Sequence, residues 1–177
     1  EYNARFNEEV KSLARLNHPN IITLLDSGQI ERQPYFVMEY FDGESLQESL
    51  DRGPLPLPDV VTITDQMCEA LSEADSTGIV HSDIKPANIM VRESGNSLRA
   101  KLLDFGIAIL EGGDTKTILS SPTQLQLVGT AAYTSPEQAA GKSRHEIDHR
   151  ADIYSLATVV YQMLTGEMVF RCKTAQE

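Results

Sequence analysis

The chain has 177 residues, 41% apolar and 23% charged, which are ordinary proportions for a soluble globular unit holding one core or part of a larger one. Its formal net charge of −11 argues against general nucleic-acid binding, which wants a basic face. Cys68 and Cys172 make neither a disulfide framework nor a zinc spacing and suit a reducing compartment, and no apolar run is long enough to span a membrane.

Phe6, Val10, Leu13 and Leu16 recur at helical spacing and predict a helix ending near Asn17-His18-Pro19. Ile21 to Leu25 predicts a strand, Asp26-Ser27-Gly28 a turn, and Pro34 to Tyr40 a second strand. A short helix is expected around Ser45 to Leu50. A longer one runs from about Pro58 to Ser76, with Val60, Ile63, Met67, Ala70, Leu71 and Ala74 as its buried face and Gly78 as its stop. Cys68 falls on this helix and is expected to be a small buried apolar residue.

Ile79 to Asn88 reads as a polar loop. Ile89 to Arg92 and Ala100 to Leu103 read as two short strands joined by Glu93-Ser94-Gly95-Asn96. From Gly106 to Pro136 run about 30 residues rich in Gly, Ser, Thr and Gln, and a stretch that long without periodicity is functional or disordered. The last helix covers about Arg150 to Thr165 and ends at Gly166. It is apolar on nearly every side, which predicts a place in the middle of a domain.

Three short motifs stand in fixed order within this frame. They are His81-Ser82-Asp83-Ile84-Lys85-Pro86-Ala87-Asn88, then Asp104-Phe105-Gly106, then Ser135-Pro136-Glu137. Asp83 lies in a loop after a helix, placed to orient an attacking hydroxyl, while Lys85 can offset charge on a transferring phosphoryl group. Asn88 offers a neutral oxygen and Asp104 a carboxylate to a hard cation. Gly106 lets the backbone turn sharply behind Asp104. Each motif alone is weak: a lone His-x-Asp is usually a hydrogen-bonded turn, and Asp-Phe-Gly is only a tripeptide. Their joint order is different in kind.

In that order the motifs resemble the catalytic loop, metal loop and activation-segment end of the eukaryotic-type (Hanks-type) serine/threonine protein kinases, most of all the bacterial members. The resemblance extends through most of the chain. Phe6 to Pro19, continuing through Asn20-Ile21-Ile22, resembles the end of the family's αC helix and the strand after it. There Glu9 takes the place of the glutamate that pairs with the strand lysine, with Glu8 as the alternative. Phe36-Val37-Met38-Glu39-Tyr40-Phe41 resembles the hinge. It implies Met38 as gatekeeper, or core, or both, and the backbones of Glu39 and Phe41 on adenine. Met90 falls where a residue packs under adenine.

Lys85-Pro86-x-Asn88 is the Ser/Thr-type form of the catalytic loop. Gly129-Thr130-x-x-Tyr133-x-Ser135-Pro136-Glu137-Gln138 resembles the substrate-facing end of the activation segment, which implies that Thr130 bonds Asp83 and Lys85. Asp152-Ile153-Tyr154-Ser155-Leu156 resembles the start of the family's αF helix, whose aspartate braces the catalytic loop from behind. Leu13, Leu24, His81 and Phe105 fall where the family stacks its regulatory spine.

The fold so implied is α+β and protein-kinase-like. A partial small lobe (the αC helix and two strands) covers 1–38, the hinge 39–43, and a mainly helical large lobe 44–177, cut after αF. The activity implied is transfer of the γ-phosphate of ATP, with Mg²⁺ or Mn²⁺, to Ser or Thr hydroxyls of protein substrates. Asp83, Lys85, Asn88 and Thr130 would be catalytic, Asn88 and Asp104 the metal ligands. No nucleic acid is expected as a partner, and the expected location is the cytoplasm, with a membrane anchor elsewhere left open.

Three departures from the family stand out. Ser82 replaces the arginine that gathers a phosphorylated activation loop, and a serine cannot make that charged bond. This counts against activation by loop phosphorylation. Ala157 stands where a glycine is usual. No glycine-rich phosphate loop and no strand lysine precede the motifs, so the fragment by itself is expected to be inactive. One rival reading is a pseudokinase scaffold, opposed by the retention of Asp83, Asn88 and Asp104. Another is a small-molecule phosphotransferase of the aminoglycoside-kinase type, opposed by Asp104-Phe105-Gly106 and Ser135-Pro136-Glu137.

Overall fold

A computed structural model describes residues 16–31, 33–95, 97–103, 131–143 and 146–170. The expected helix over residues 6–16 lies, but for Leu16, outside the described residues, as do Glu8, Glu9, Leu13, Asp104, Phe105, Gly106, Thr130 and Cys172.

Two strands, β1 (Leu24–Ile30) and β2 (Gln33–Met38), form an antiparallel hairpin. The turn expected at Asp26-Ser27-Gly28 is not there. Those residues lie inside β1, opposite Val37, Phe36 and Tyr35, and the chain reverses after Ile30, with Glu31 at φ +50°. Gly28 serves the strand instead. The Tyr35 ring crosses it so closely that a Cβ would meet the tyrosine hydroxyl at 2.5 Å. Ile21, expected in the first strand, makes an isolated parallel bridge to Leu102.

A second sheet has the order β3–β4–β5, all antiparallel, from β3 (Glu44–Ser45), β4 (Ile89–Ser94) and β5 (Ser97–Leu102). The β4–β5 connection pairs Ser94 with Ser97 and turns at Gly95, at φ +62°, which is tighter than the four-residue link expected. The ribbon has two unlike faces because successive side chains alternate. Ile89, Val91, Ala100 and Leu102 are buried in the core. Met90, Arg92, Arg99 and Lys101 take the opposite face by register.

Helix α1 (Leu46–Leu50) starts at Ser45, whose hydroxyl accepts from the Glu48 amide while Glu48 bonds back to the Ser45 amide. Just ahead of it, Glu44 receives Arg52 Nη1 at 2.9 Å and Ser49 Oγ at 2.6 Å. These bonds, Arg52 first, hold the Glu44 carboxyl down at about 2. Helix α2 (Leu57–Ser76) buries Val60, Ile63, Met67, Ala70 and Ala74, the stripe its periodicity predicted, with Leu71 at the edge. Cys68 is exposed, contrary to expectation. It follows Met67 by one position, which turns it off the buried stripe.

Helix α4 (His149–Thr165) is capped by Asp148 at its start and by Gly166, at φ +73°, at its end. It packs on α2 through a face that includes Leu156, Val159 and Met163. Ile153, Tyr161 and Leu164 are exposed, so the all-round burial expected of this helix is not met among the described residues.

One side chain joins three parts of this frame. Gln66, on α2, accepts the Asn20 amide at 2.8 Å and the Ala100 amide N–H at 2.7 Å, and its own amide donates to Leu98 O at 2.9 Å. Asn20 also donates to Ala100 O at 2.9 Å, while its carbonyl accepts the Leu102 N–H at 2.8 Å. Gln66 thus bonds two backbone groups along β5 and anchors the segment leading into β1. Replacing Gln66 with leucine keeps the size but strands these groups, so a stability loss of about 2–3 kcal/mol is expected. The urea midpoint of the domain's unfolding in the intact protein checks this; an unshifted midpoint would contradict it.

Candidate active site

The polar loop after α2 is held by a buried carboxylate. Asp152, in the first turn of α4, accepts the backbone N–H of His81 at Oδ2 and of Ser82 at Oδ1, both at 2.8 Å. Burial pushes the Asp152 carboxyl up, and the nearby His81 ring, then the amide bonds from His81 and Ser82, pull against that. Ser82 has φ +66°, a left-handed conformation uncommon for a residue with a side chain. Its carbonyl accepts Gln138 Nε2 at 2.8 Å. Gln138 lies on α3 (Pro136–Ala139), and its Oε1 accepts the amide and hydroxyl of Ser135 at 3.0 Å each. Both main-chain groups of Ser82 are therefore tied to side chains, one on each of two helices.

His81 turns the loop toward the next strand. Its Nε2 lies 2.7 Å from Leu103 O, and its Nδ1 accepts the Asp83 N–H at 3.2 Å. A carbonyl only accepts, so Nε2 carries the hydrogen of that bond. The Leu103 N–H donates to Asn88 O at 2.8 Å. Leu103, the residue before Asp104, is thus gripped through both main-chain groups.

Within this frame three predicted residues come together. Asp83 Oδ2 accepts Lys85 Nζ at 2.7 Å and Asn88 Nδ2 at 2.9 Å. Asn88 Nδ2 also donates to Asp83 O at 2.8 Å. Both partners of that nitrogen are acceptors, so the orientation of the Asn88 amide is decided by chemistry: Nδ2 points to Asp83, leaving Oδ1 as an oxygen donor. A neutral amide oxygen suits a hard cation such as Mg²⁺, so Asn88 fits the role predicted for it. The loop closes with a 3₁₀ turn over Pro86–Asn88, where proline's fixed φ and absent N–H suit the first position.

The other predicted residues that are described lie between the end of β2 and Gly43 and along the β4–β5 ribbon. Met38 ends β2 opposite Leu24 and is 38% exposed. The Glu39 N–H donates to Thr23 O at 3.0 Å, so its carbonyl is the main-chain group on offer. The Phe41 carbonyl accepts the Gly43 N–H at 3.0 Å. Gly43 has no room for a side chain, since a Cβ would meet Val91 O at 2.5 Å. Met90 sits in β4 between Ser45 and Lys101.

Gln138, Gln66 and Lys101 were not foreseen. Ser135-Pro136-Glu137-Gln138 does carry the Ser-x-x-Gln spacing of a capping box, which could have marked Gln138 as a helix-start residue. No local pattern marks the other two. Tyr133 is fixed just before α3: its hydroxyl donates to Gln162 at 2.5 Å and its carbonyl accepts Ser155 Oγ at 2.7 Å. Burial pushes the Tyr133 phenol up to about 12.

Known proteins resemble this chain over most of its length. The protein kinase domain family matches residues 1–177. The chain is 40% identical over 171 residues to the serine/threonine-protein kinase PknB of Mycobacterium leprae, covering 94% of this chain and 26% of that protein. It is 44% identical over 177 residues to the serine/threonine-protein kinase pkn3 of Myxococcus xanthus, covering 97% of this chain and 31% of that protein. The chain thus spans less than a third of the length of these curated relatives. A crystal structure of the Mycobacterium tuberculosis PknI kinase domain superposes with a TM-score of 0.72 at 31% identity, covering 97% of this chain and 60% of that one. Among the described residues, no helix is long and apolar enough to cross a membrane.

Asp152→Asn keeps the shape of the brace but sets an NH₂ donor against an amide donor. The His81 and Ser82 amides are then expected to exchange with solvent on the order of a hundredfold faster, the equivalent of about 3 kcal/mol. Hydrogen exchange of the peptide spanning these residues measures it; unchanged protection would refute the brace.

Proposed function

The chain belongs to the protein kinase domain family, in its bacterial-like serine/threonine branch, and from this we propose that the protein moves the γ-phosphate of ATP onto serine or threonine hydroxyls of other proteins. The observation that carries the reading is the Asp83 carboxylate held by Lys85 and Asn88 on a loop braced by a buried aspartate. Phosphoryl transfer asks the protein mainly for positioning and charge stabilisation, and this arrangement supplies both.

The roles follow from the donor and acceptor inventory. Asp83 orients the substrate hydroxyl and takes its proton as the oxygen attacks phosphorus. Lys85, already drawn to the Asp83 side, offsets the charge of the transferring group. Asn88, through Oδ1, and Asp104 are the residues that would hold Mg²⁺ or Mn²⁺. The bound cation would neutralise phosphate charge. In the hinge, residues 39–43, the Glu39 carbonyl and the Phe41 N–H present an acceptor and a donor to the adenine edge. Met38 flanks that edge as gatekeeper, and Met90 packs beneath the ring. Thr130 would bond Asp83 and Lys85 from the activation segment, and Glu9 would take the place of the glutamate that pairs with the family's strand lysine. Residues up to 38 belong to the small lobe and those from 44 to the large one.

The substrate is a protein. The capped α3 segment is bonded through Gln138 to Ser82, the neighbour of Asp83, so a peptide held on that segment would lie beside the base. Asp83→Asn in the whole protein removes the base and keeps the size, so turnover should fall by roughly two to four orders of magnitude. Asp104→Asn should abolish the metal-dependent rate. Transfer of labelled phosphate from ATP to a generic protein measures both, beside an aminoglycoside as the small-molecule control. Full activity in either variant, or preference for the small molecule, would overturn this reading.

A further inference from the structure

The β4–β5 ribbon delivers Asn88 and Met90 toward the site, and the face that bears Met90 also reaches the hinge. Lys101 stands opposite Met90 in the antiparallel register. Its Nζ lies 2.5 Å from Glu39 Oε1 and 3.4 Å from Ile21 O. The same Glu39 oxygen accepts the Thr23 N–H at 2.8 Å, while the Glu39 N–H returns to Thr23 O at 3.0 Å. Two positions along from Met90 on the same face, the Arg92 guanidinium sits over the Phe41 ring at 5.0 Å.

This is more than a surface ion pair. The side chains of Lys101 and Glu39 are only 16% and 29% exposed. Burial would raise the Glu39 carboxyl, yet the bonds from Lys101 and Thr23 outweigh it and hold the carboxyl below its usual value. The ionised pair joins three pieces of chain at one point: the segment entering β1, the first hinge residue and β5. A charge-assisted bond shielded in this way is stronger than an exposed one and fixes direction as well as distance.

We propose that Lys101 is a positioning residue for nucleotide binding: by holding the Glu39 carboxylate it fixes the hinge main chain against the ribbon face that carries Met90, with Arg92 steadying Phe41 from that same face. The inference rests on the kinase reading above. Lys101 itself touches neither the nucleotide nor the transferred group. It acts by keeping the Glu39 carbonyl and the Phe41 N–H in a binding-ready geometry, so that less ordering is left to binding. Its loss therefore weakens nucleotide binding and spares the chemical step.

The test is Lys101→Met in the whole protein, which keeps the aliphatic stem and removes the cation. ATP affinity by calorimetry and ATP KM should each weaken roughly three- to tenfold, with kcat at saturating ATP within about twofold of the unsubstituted protein. Lys101→Arg retains the cation and should keep the affinity within about twofold. If the methionine variant does not fold, Lys101→Gln, which keeps a donor without the charge, gives the same readout. Unchanged affinity, tighter binding, or a fall in kcat at constant KM would each overturn the proposal. If the unsubstituted protein bound no ATP, the kinase reading itself would fall and take this inference with it. If that protein is active and only the Lys101 variants behave otherwise than stated, the inference alone is lost.

Discussion

The loop that bears Asp83 depends on the two bonds that Asp152 makes to consecutive backbone amides. A loop has no internal ladder to satisfy its polar groups, and a buried amide left unpaired is costly. Here a carboxylate near the start of α4 accepts from His81 and Ser82 together. The bidentate grip holds the backbone in a shape that Ser82 adopts only at a cost, at φ +66°. From that fixed bend, His81 can reach Leu103 O with Nε2 while the Asp83 N–H reaches back to Nδ1. The position of Asp83 is thus a consequence of packing between α2 and α4, which places Asp152 where the loop returns.

What was legible in the sequence follows from how far each signal reaches along the chain. The buried stripe of α2, from Val60 to Ala74, could be read because a helix repeats its facing every three to four residues. The grouping of Asp83, Lys85 and Asn88 could be read because all three sit within one short loop. Cys68 departs from expectation because phase outranks composition: one step from Met67 turns a residue off the stripe. Asp26-Ser27-Gly28 departs from expectation because turn-forming residues also serve strands. Gly28 is required by the Tyr35 ring crossing it, a contact made across the hairpin that no local pattern encodes.

The residues that could not be read share one property: their partners are distant in sequence. Gln66 bonds Asn20, Leu98 and Ala100, and Lys101 bonds Glu39. Each is a common polar residue with nothing unusual around it in the chain. Both place a polar side chain against backbone or charge at the junction between the hairpin and the larger core. An apolar contact there would hold the parts together without fixing their direction, whereas hydrogen bonds fix both. The β4–β5 ribbon gives the same division within one element, with apolar side chains on the face toward the core and Met90, Arg92, Arg99 and Lys101 on the opposite one.

Ser82 shows how the loop keeps its shape without a cation at that position. The family pattern has an arginine there, whose head group acts at a distance from the loop. In this chain neither bond that fixes residue 82 involves its side chain. Its N–H goes to Asp152 and its carbonyl to Gln138, so α4 holds one side of the residue and α3 the other. Gln138 is held in turn by Ser135, through a capping box that needs only neutral groups. The geometry at position 82 is therefore fixed through the main chain by one carboxylate and one amide. The segment that would present a peptide and the loop that bears Asp83 are joined through the main chain of residue 82, with no charged side chain at that position.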